Sequence, residues 1–276
     1  MIPRADIIQW RSLGHPWQSD AMVEQDLIIS VMLIMLFQDP QVRERLLFRG
    51  GTALHKLLLA EPLRYSEDID LVQREAGPIG PQFDRIREIL EDRFGEPRRK
   101  TGPGVATLTY RIDSEDAPPL PLRVKIEINT REHDQSLPVE QRPFDVESRW
   151  FEGYADIPIY HVDELLATKL RALYQRRKGR DLFDLGLALR TIPIDASRMC
   201  GVFRQYMSAE GHTVTVADLR ANLEQKLQHP GFLGDCTPLI RPGTPFDPVQ
   251  DADLLEREIF TVLESREPSS TEERSR

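Results

Sequence analysis

Three stretches of the chain alternate apolar and polar residues with a period of two, the spacing of a strand with one buried face. Residues 66–73 place Ile69 and Leu71 on one side and Asp68 and Asp70 on the other. ATLTYRID, 106–113, alternates in the same way. LRVKIEIN, 122–129, does so over its whole length, with Leu122, Val124, Ile126 and Ile128 opposite Arg123, Lys125, Glu127 and Asn129. A further touch of strand character falls at 157–161. Elsewhere the apolar positions recur at helical spacing. The pattern predicts helices over 20–38, which Asp39-Pro40 ends, and over 81–94, which Gly95 and Pro97 close. A short helix over 41–47 precedes a Gly50-Gly51-Thr52 turn, where Thr52 is expected to cap a helix running to Leu59. From Val162 the pattern is helical throughout, over 162–177, 180–190, 195–208, 215–227 and 251–264. The expected fold is therefore α+β: a sheet domain over 1–160, a helical C-terminal domain over 161–265, and a polar tail, 266–276, too poor in apolar residues to fold.

Composition narrows the function classes. A chain of 276 residues with 40% hydrophobic content can bury a sizeable core. Its formal net charge of −9 rules out bulk attraction to nucleic acid, so any such contact needs a local basic patch. Cys200 and Cys236 lack metal-ligand spacing and make no disulfide framework, which fits a reducing cytoplasm. The longest apolar run, residues 27–37, is too short to span a membrane, and MIPRADIIQW lacks a signal-peptide pattern.

The chemistry lies in the acids. Asp68 and Asp70 project from one face of a strand, about 7 Å apart along it. If the strand carrying Glu127 lies beside theirs, three carboxylates converge, and three such charges repel unless a cation joins them. Oxygen ligands of this kind suit Mg²⁺ or Mn²⁺, which also bind substrate phosphates, and two such ions about 4 Å apart can activate an attacking oxygen and stabilise the leaving one. The Gly50-Gly51 turn can offer backbone N–H groups to a phosphate. Taken singly, an Asp-x-Asp pair is most often a solvated strand face and a glycine pair merely a turn. The ordered set of Gly-Gly-Thr, a helix of two turns, Ser-x-Asp-x-Asp and a later Glu is what makes the functional reading worth pursuing.

These residues resemble the DNA polymerase β-type nucleotidyltransferases. FRGGTALHKL, RYSEDIDLV, KIEIN and KLRALYQRRKGRDLFDL are similar to one branch, the AbiEii/AbiGii toxin family with its MenT-type members, over residues 20–190. The resemblance implies a mixed sheet with flanking helices that transfers a nucleoside monophosphate from an NTP to an acceptor. In characterised MenT-type members that acceptor is the 3′ end of tRNA, and translation stops. It also implies an antitoxin partner, an AbiEi-like winged-helix protein encoded beside the toxin. Carried over residue by residue, Gly50, Gly51, Thr52 and Ser66 match the phosphate-binding motif. Asp68 and Asp70 match the metal-binding acids, Glu127 the third acid of the wider superfamily, and Lys169 and Asp181 the later lysine and aspartate motifs.

Residues 163–189 hold the densest run of cations: Arg171, Arg176, Arg177, Lys178 and Arg180. The bland reading is a charged face with Arg–Asp pairs. The functional one has Lys169 holding the triphosphate while Arg176, Arg177, Lys178 and Arg180 guide an RNA backbone. Arg98-Arg99-Lys100 reads as a loop that could also touch RNA, and His55 as a packed residue of the glycine helix. Two other functions use the same residues: nucleotidyl transfer to a small molecule, or a non-catalytic module that binds NTP or antitoxin.

Overall fold

A computed structural model describes residues 2–266. The expected tail over 266–276 thus lies outside the described residues beyond Arg266. The chain forms two compact units. One runs to His161 and takes back Leu239–Thr244; the other comprises Val162–Pro238 and the chain from Pro245 onward.

The first unit is built on a seven-stranded mixed sheet: β1 (Leu46–Arg49), β2 (Asp68–Gln73), β3 (Arg98–Gly102), β4 (Val105–Asp113), β5 (Pro121–Asn129), β6 (Glu140–Glu147) and β7 (Glu152–Ile159). Their order is β3-β4-β5-β2-β1-β7-β6. β2 runs parallel to β5 and β1 parallel to β7, while the remaining neighbours are antiparallel. The alternation of LRVKIEIN is realised in full: Leu122, Val124, Ile126 and Ile128 are buried. Helices α2 (Asp20–Gln38) and α5 (Gly80–Phe94) pack in the same unit, α2 against β5 and β7 and α5 against β4.

Three strands escape the sequence pattern for three reasons. β1 is four residues, LLFR, and buried, so its apolar run reads as a continuation of the short helix before it, α3 (Pro40–Arg45). β3, RRKTG, has no apolar side chain and is exposed throughout. β6 carries Pro143, which is tolerated because it is an edge strand. A short helix at the start, α1 (Arg4–Ser12), was also not expected.

The glycine helix differs from expectation. It starts at Gly50 as α4 (Gly50–Ala53), with Arg49 in the capping position, and passes directly into a π-helical turn over Leu54–Leu58. Thr52 is therefore inside the helix and caps nothing. The widened turn aims Lys56 at a buried cluster, where its Nζ lies 2.8 Å from Asp26 Oδ1 and 2.9 Å from Ser30 Oγ. Trp10 Nε1 donates to the same carboxylate at 2.9 Å and His15 lies 3.1 Å from it. Burial works against the Asp26 charge, but Lys56 and His15 outweigh it and hold the carboxyl well below its ordinary range. The glycine turn is thus tied to α1 and α2 through a buried ion pair.

The second unit is helical: α6 (Val162–Gln175), α7 (Gly179–Thr191), α8 (Ala196–Ala209), α9 (Val216–Leu227), α10 (Pro230–Leu233), α11 (Pro248–Leu255) and α12 (Thr261–Glu264), with a π turn over Glu256–Phe260. Gly179 opens α7, so the break between the two expected helices falls at 176–178. Cys200 and Cys236 are buried and not joined in a disulfide, and burial pushes the Cys200 thiol up to about 11. No helix among the described residues is long and apolar enough to cross a membrane.

Candidate active site

The sheet register brings the sequence-selected acids onto one face. Asp70 pairs with Glu127 across the β2–β5 ladder, and Asp68 pairs with Lys125. On its other side Asp70 pairs with Arg49 of β1. Residues directly opposite in a ladder project from the same face. One row therefore reads Glu127, Asp70, Arg49 and the next reads Lys125, Asp68.

Gly50 follows β1 with φ of +81°, a backbone state that favours glycine. It faces Asp70: a Cβ built here would overlap Asp70 Oδ2 and crowd its Cβ and Cγ. The first glycine is thus required twice, by the turn and by the carboxylate it abuts. The Arg49 side chain makes no capping hydrogen bond to the helix that follows.

Thr52 is fully buried. Its hydroxyl donates to the Asp68 carbonyl and shares a 2.8 Å hydrogen bond with Ser66 Oγ. Thr52 and Ser66 thereby brace the entry to β2. The returning segment adds to this brace, since Tyr65 N donates to the Leu239 carbonyl and Arg241 N to the Leu63 carbonyl. His55 is buried, as a packed residue of this helix should be.

Electrostatics distinguish Asp68. Burial pushes its carboxyl up to about 6; Lys125, 3.6 Å away, works against that, and Asp70, Glu67 and Glu127 add to it. Arg49 is the counterweight on the other side. Burial opposes its charge, but Tyr160, Glu132 and Asp70 outweigh it and raise the guanidinium further, with Glu132 at 2.9 Å. Neither Arg49 nor Lys125 was singled out from sequence as part of the site. The signals were present, since Arg49 directly precedes the glycines and Lys125 sits in the Glu127 phase of LRVKIEIN.

This donor set fits a divalent cation in one respect and departs from expectation in another. A half-buried carboxyl lifted to about 6 by burial, with neighbouring acids adding to it, is what such an ion would relieve. Yet among the described residues no group of three or more His, Cys, Asp or Glu side chains stands close enough to hold a metal. Glu127 is beside Asp70 in register but exposed, and it does not close a three-acid cage.

Asp68→Asn should therefore stabilise the metal-free protein. The folded pKa is raised, so the cost of ionisation is absent below the unfolded value near 4 and fully present above about 6. Discounted for a side chain one-third exposed, the gain is on the order of 1 kcal/mol, or about 2–4 °C in Tm at pH 8. Melts at pH 8 and pH 4 check this, because the gain must vanish at the lower pH.

The remaining selected residues belong to the helical unit. Lys169 is buried, with Nζ 2.8 Å from Asp184 Oδ2 and 3.4 Å from Asp181 Oδ1. Arg176 grips Asp181 through two hydrogen bonds of 2.7 and 2.8 Å. Burial opposes the Asp181 charge, but Lys169 and Arg176 outweigh it and keep the carboxyl below its ordinary value. Lys178 and Arg180 both lie by Asp235, at 3.2 and 3.9 Å. Arg171 pairs with Glu210 at 3.1 Å and lies over the Tyr206 ring. Of the four cations selected for RNA, Arg176, Lys178 and Arg180 are thus already engaged by acids, while Arg177 is exposed. A groove of about 550 Å³, lined by residues including Arg45, Gln73 and Arg85, lies at the far end of β2 and touches none of the selected residues.

The model of the family described as nucleotidyl transferase AbiEii toxin, Type IV TA system, matches residues 34–253. No curated protein matches significantly. Among solved structures, the chain is similar to MenT4, a nucleotidyltransferase toxin from Mycobacterium tuberculosis H37Rv, with a TM-score of 0.67 and 19% identity over 99% of this chain and 93% of that one. It is also similar to JHP933 from Helicobacter pylori, with a TM-score of 0.52 and 17% identity over 92% of this chain and 97% of that one.

Proposed function

The chain belongs to the AbiEii nucleotidyltransferase toxin family, and from that premise we propose that it transfers a nucleoside monophosphate from an NTP to the 3′ end of tRNA, using Asp68 and Asp70 at its centre. The observation that carries the reading is the pair itself. Two aspartates share a strand face against a glycine that leaves no room for any other residue, and Asp68 is held near pKa 6 by burial and neighbouring acids.

Asp68 and Asp70 would hold a divalent cation, Mg²⁺ or Mn²⁺, with phosphate and water completing its shell, as is usual for Mg²⁺. Such an ion supplies charge neutralisation at the transferring phosphoryl group. The protein's own part is positioning. Gly50 and Gly51 let the backbone approach a phosphate closely, and Thr52 with Ser66 fixes where β2 begins. Arg49 sets a positive charge beside Asp70 across the β1–β2 ladder. Glu127, exposed in the Asp70 row, is placed to take the proton of the attacking hydroxyl. The acceptor oxygen bonds to the α-phosphorus, the bond to the bridging oxygen breaks, and pyrophosphate leaves. The Type IV toxin–antitoxin description carries an antitoxin partner with it, which we take to be a winged-helix protein of the AbiEi kind.

The test is incubation of the protein with each labelled NTP, Mg²⁺ and total RNA, beside Asp70→Ala. Wild type is expected to label tRNA, sequencing is expected to find the added nucleotide at the 3′ end, and the variant should be inactive. No transfer from any of the four nucleotides sinks the proposal, and label on a small compound instead reassigns the acceptor.

A further inference from the structure

The polar face of β3, β4 and β5 carries cations that none of the site's functions uses. The register aligns them into rows that run into the acids. Arg98 pairs with Thr109, which pairs with Lys125, which pairs with Asp68. Lys100 pairs with Thr107, then Glu127, then Asp70. A third row brings Arg111 directly opposite Arg123. Strands lie about 4.8 Å apart, so Lys100 stands roughly 14 Å from Asp70 across the sheet.

Three features mark this face as more than a solvated surface. Arg98, Lys100, Arg111 and Arg123 are exposed, and none has an ion-pair partner among the described residues. The neighbouring Arg99, which points to the opposite face, is paired with Asp84 at 2.8 Å. Opposing like charges such as Arg111 and Arg123 destabilise an antiparallel ladder, a cost that a bound anion would reverse. Finally, the protein is acidic overall, and the denser cation run at 176–180 is largely occupied by Asp181 and Asp235.

We propose that this face is the track for the sugar–phosphate backbone of the acceptor RNA, which crosses β3, β4 and β5 to deliver its 3′ hydroxyl to Asp68 and Asp70. The proposal rests on the nucleotidyl-transfer reading. Phosphates occupy the Arg98, Lys100, Arg111 and Arg123 positions, and the unpaired 3′ end extends along the Glu127 row. A single strand fits, because its backbone can track the exposed cations along the rows that lead to the acids.

The experiment compares wild type with Arg98→Glu/Lys100→Glu and Arg111→Glu/Arg123→Glu, made separately and together. All are exposed positions outside the transfer site, and thermal melts verify folding. Arg111→Ala/Arg123→Ala serves as the milder variant should charge reversal impair folding. Binding of a fluorescent 12-nucleotide RNA with a free 3′ hydroxyl is measured by anisotropy against salt, and transfer kinetics are measured for RNA and NTP separately. Each double reversal is expected to raise the RNA KM about tenfold or more, with kcat at saturating RNA and the NTP KM unchanged. Combining them should flatten the salt dependence of log K by about 3, at roughly 0.7 per lost phosphate contact. A folded combined variant with unchanged RNA KM and salt slope overturns the track. So does loss of antitoxin binding with RNA affinity intact, which assigns the face to a protein partner. If wild type transfers nothing but binds the RNA through these four residues, the track stands and the transfer reading falls.

Discussion

Gly50→Ala is expected to leave a folded protein that has lost nucleotidyl transfer by about 100-fold or more. Two costs meet at this position. With φ of +81°, an alanine pays about 1–2 kcal/mol in backbone strain. Its methyl group would also occupy the space of the Asp70 carboxylate, which must move. A displacement of about 1 Å in a group that positions the reaction costs on the order of 100-fold. Gly95 separates the two effects. It also has positive φ, +75°, but nothing lies within 4 Å of where its Cβ would be. Gly95→Ala should therefore lower Tm through backbone strain alone and keep kcat/KM. Measuring Tm and kcat/KM for both variants decides the matter. Equal loss of activity in the two would mean that Gly50 acts only through stability.

The same position shows why the candidate site could be picked out in the sequence. Gly-Gly, Asp-x-Asp and the isolated glutamate of LRVKIEIN could be ordered along the chain because strand alternation alone fixes which side chains share a face. Period two in 68–73 and 122–129 is a local property, and packing realised it unchanged. Local pattern does not encode pairing between strands, so the contributions of Arg49 and Lys125 came only with the ladder that sets them beside Asp70 and Asp68. The same limit hid β3. RRKTG has no apolar residue to reveal a period, and it is a strand only because β4 pairs with it. Thr52 illustrates the opposite failure. A threonine after two glycines satisfies the local rule for a cap, but the helix begins two residues earlier and the hydroxyl is spent on Ser66 and the start of β2. Nor could any local signal place Leu239–Thr244 beside residues 63–65, about 175 residues away in sequence.

Lys169→Met is expected to destabilise the helical unit by about 3–5 kcal/mol. Asp181 and Asp184 are both fully inaccessible, and the Lys169 ammonium lies between them. Removing it withdraws a cation from two buried carboxylates, and burial then favours their neutral forms. Asp181→Asn should cost less, because Lys169 keeps its 2.8 Å partner in Asp184 and the half-exposed Arg176 can turn toward water. The pH dependence gives the sign. In the wild type Asp181 titrates below its ordinary value, so its contribution is present above pH 4 and lost as the solution is acidified. In Lys169→Met the carboxylates titrate above theirs, so the deficit is greatest at neutral pH and shrinks toward pH 4. Adding Asp184→Asn to Lys169→Met should recover part of the loss, a coupling that a double-mutant cycle in urea would measure. A deficit below 1 kcal/mol at pH 7, independent of pH, would refute the buried-pair account.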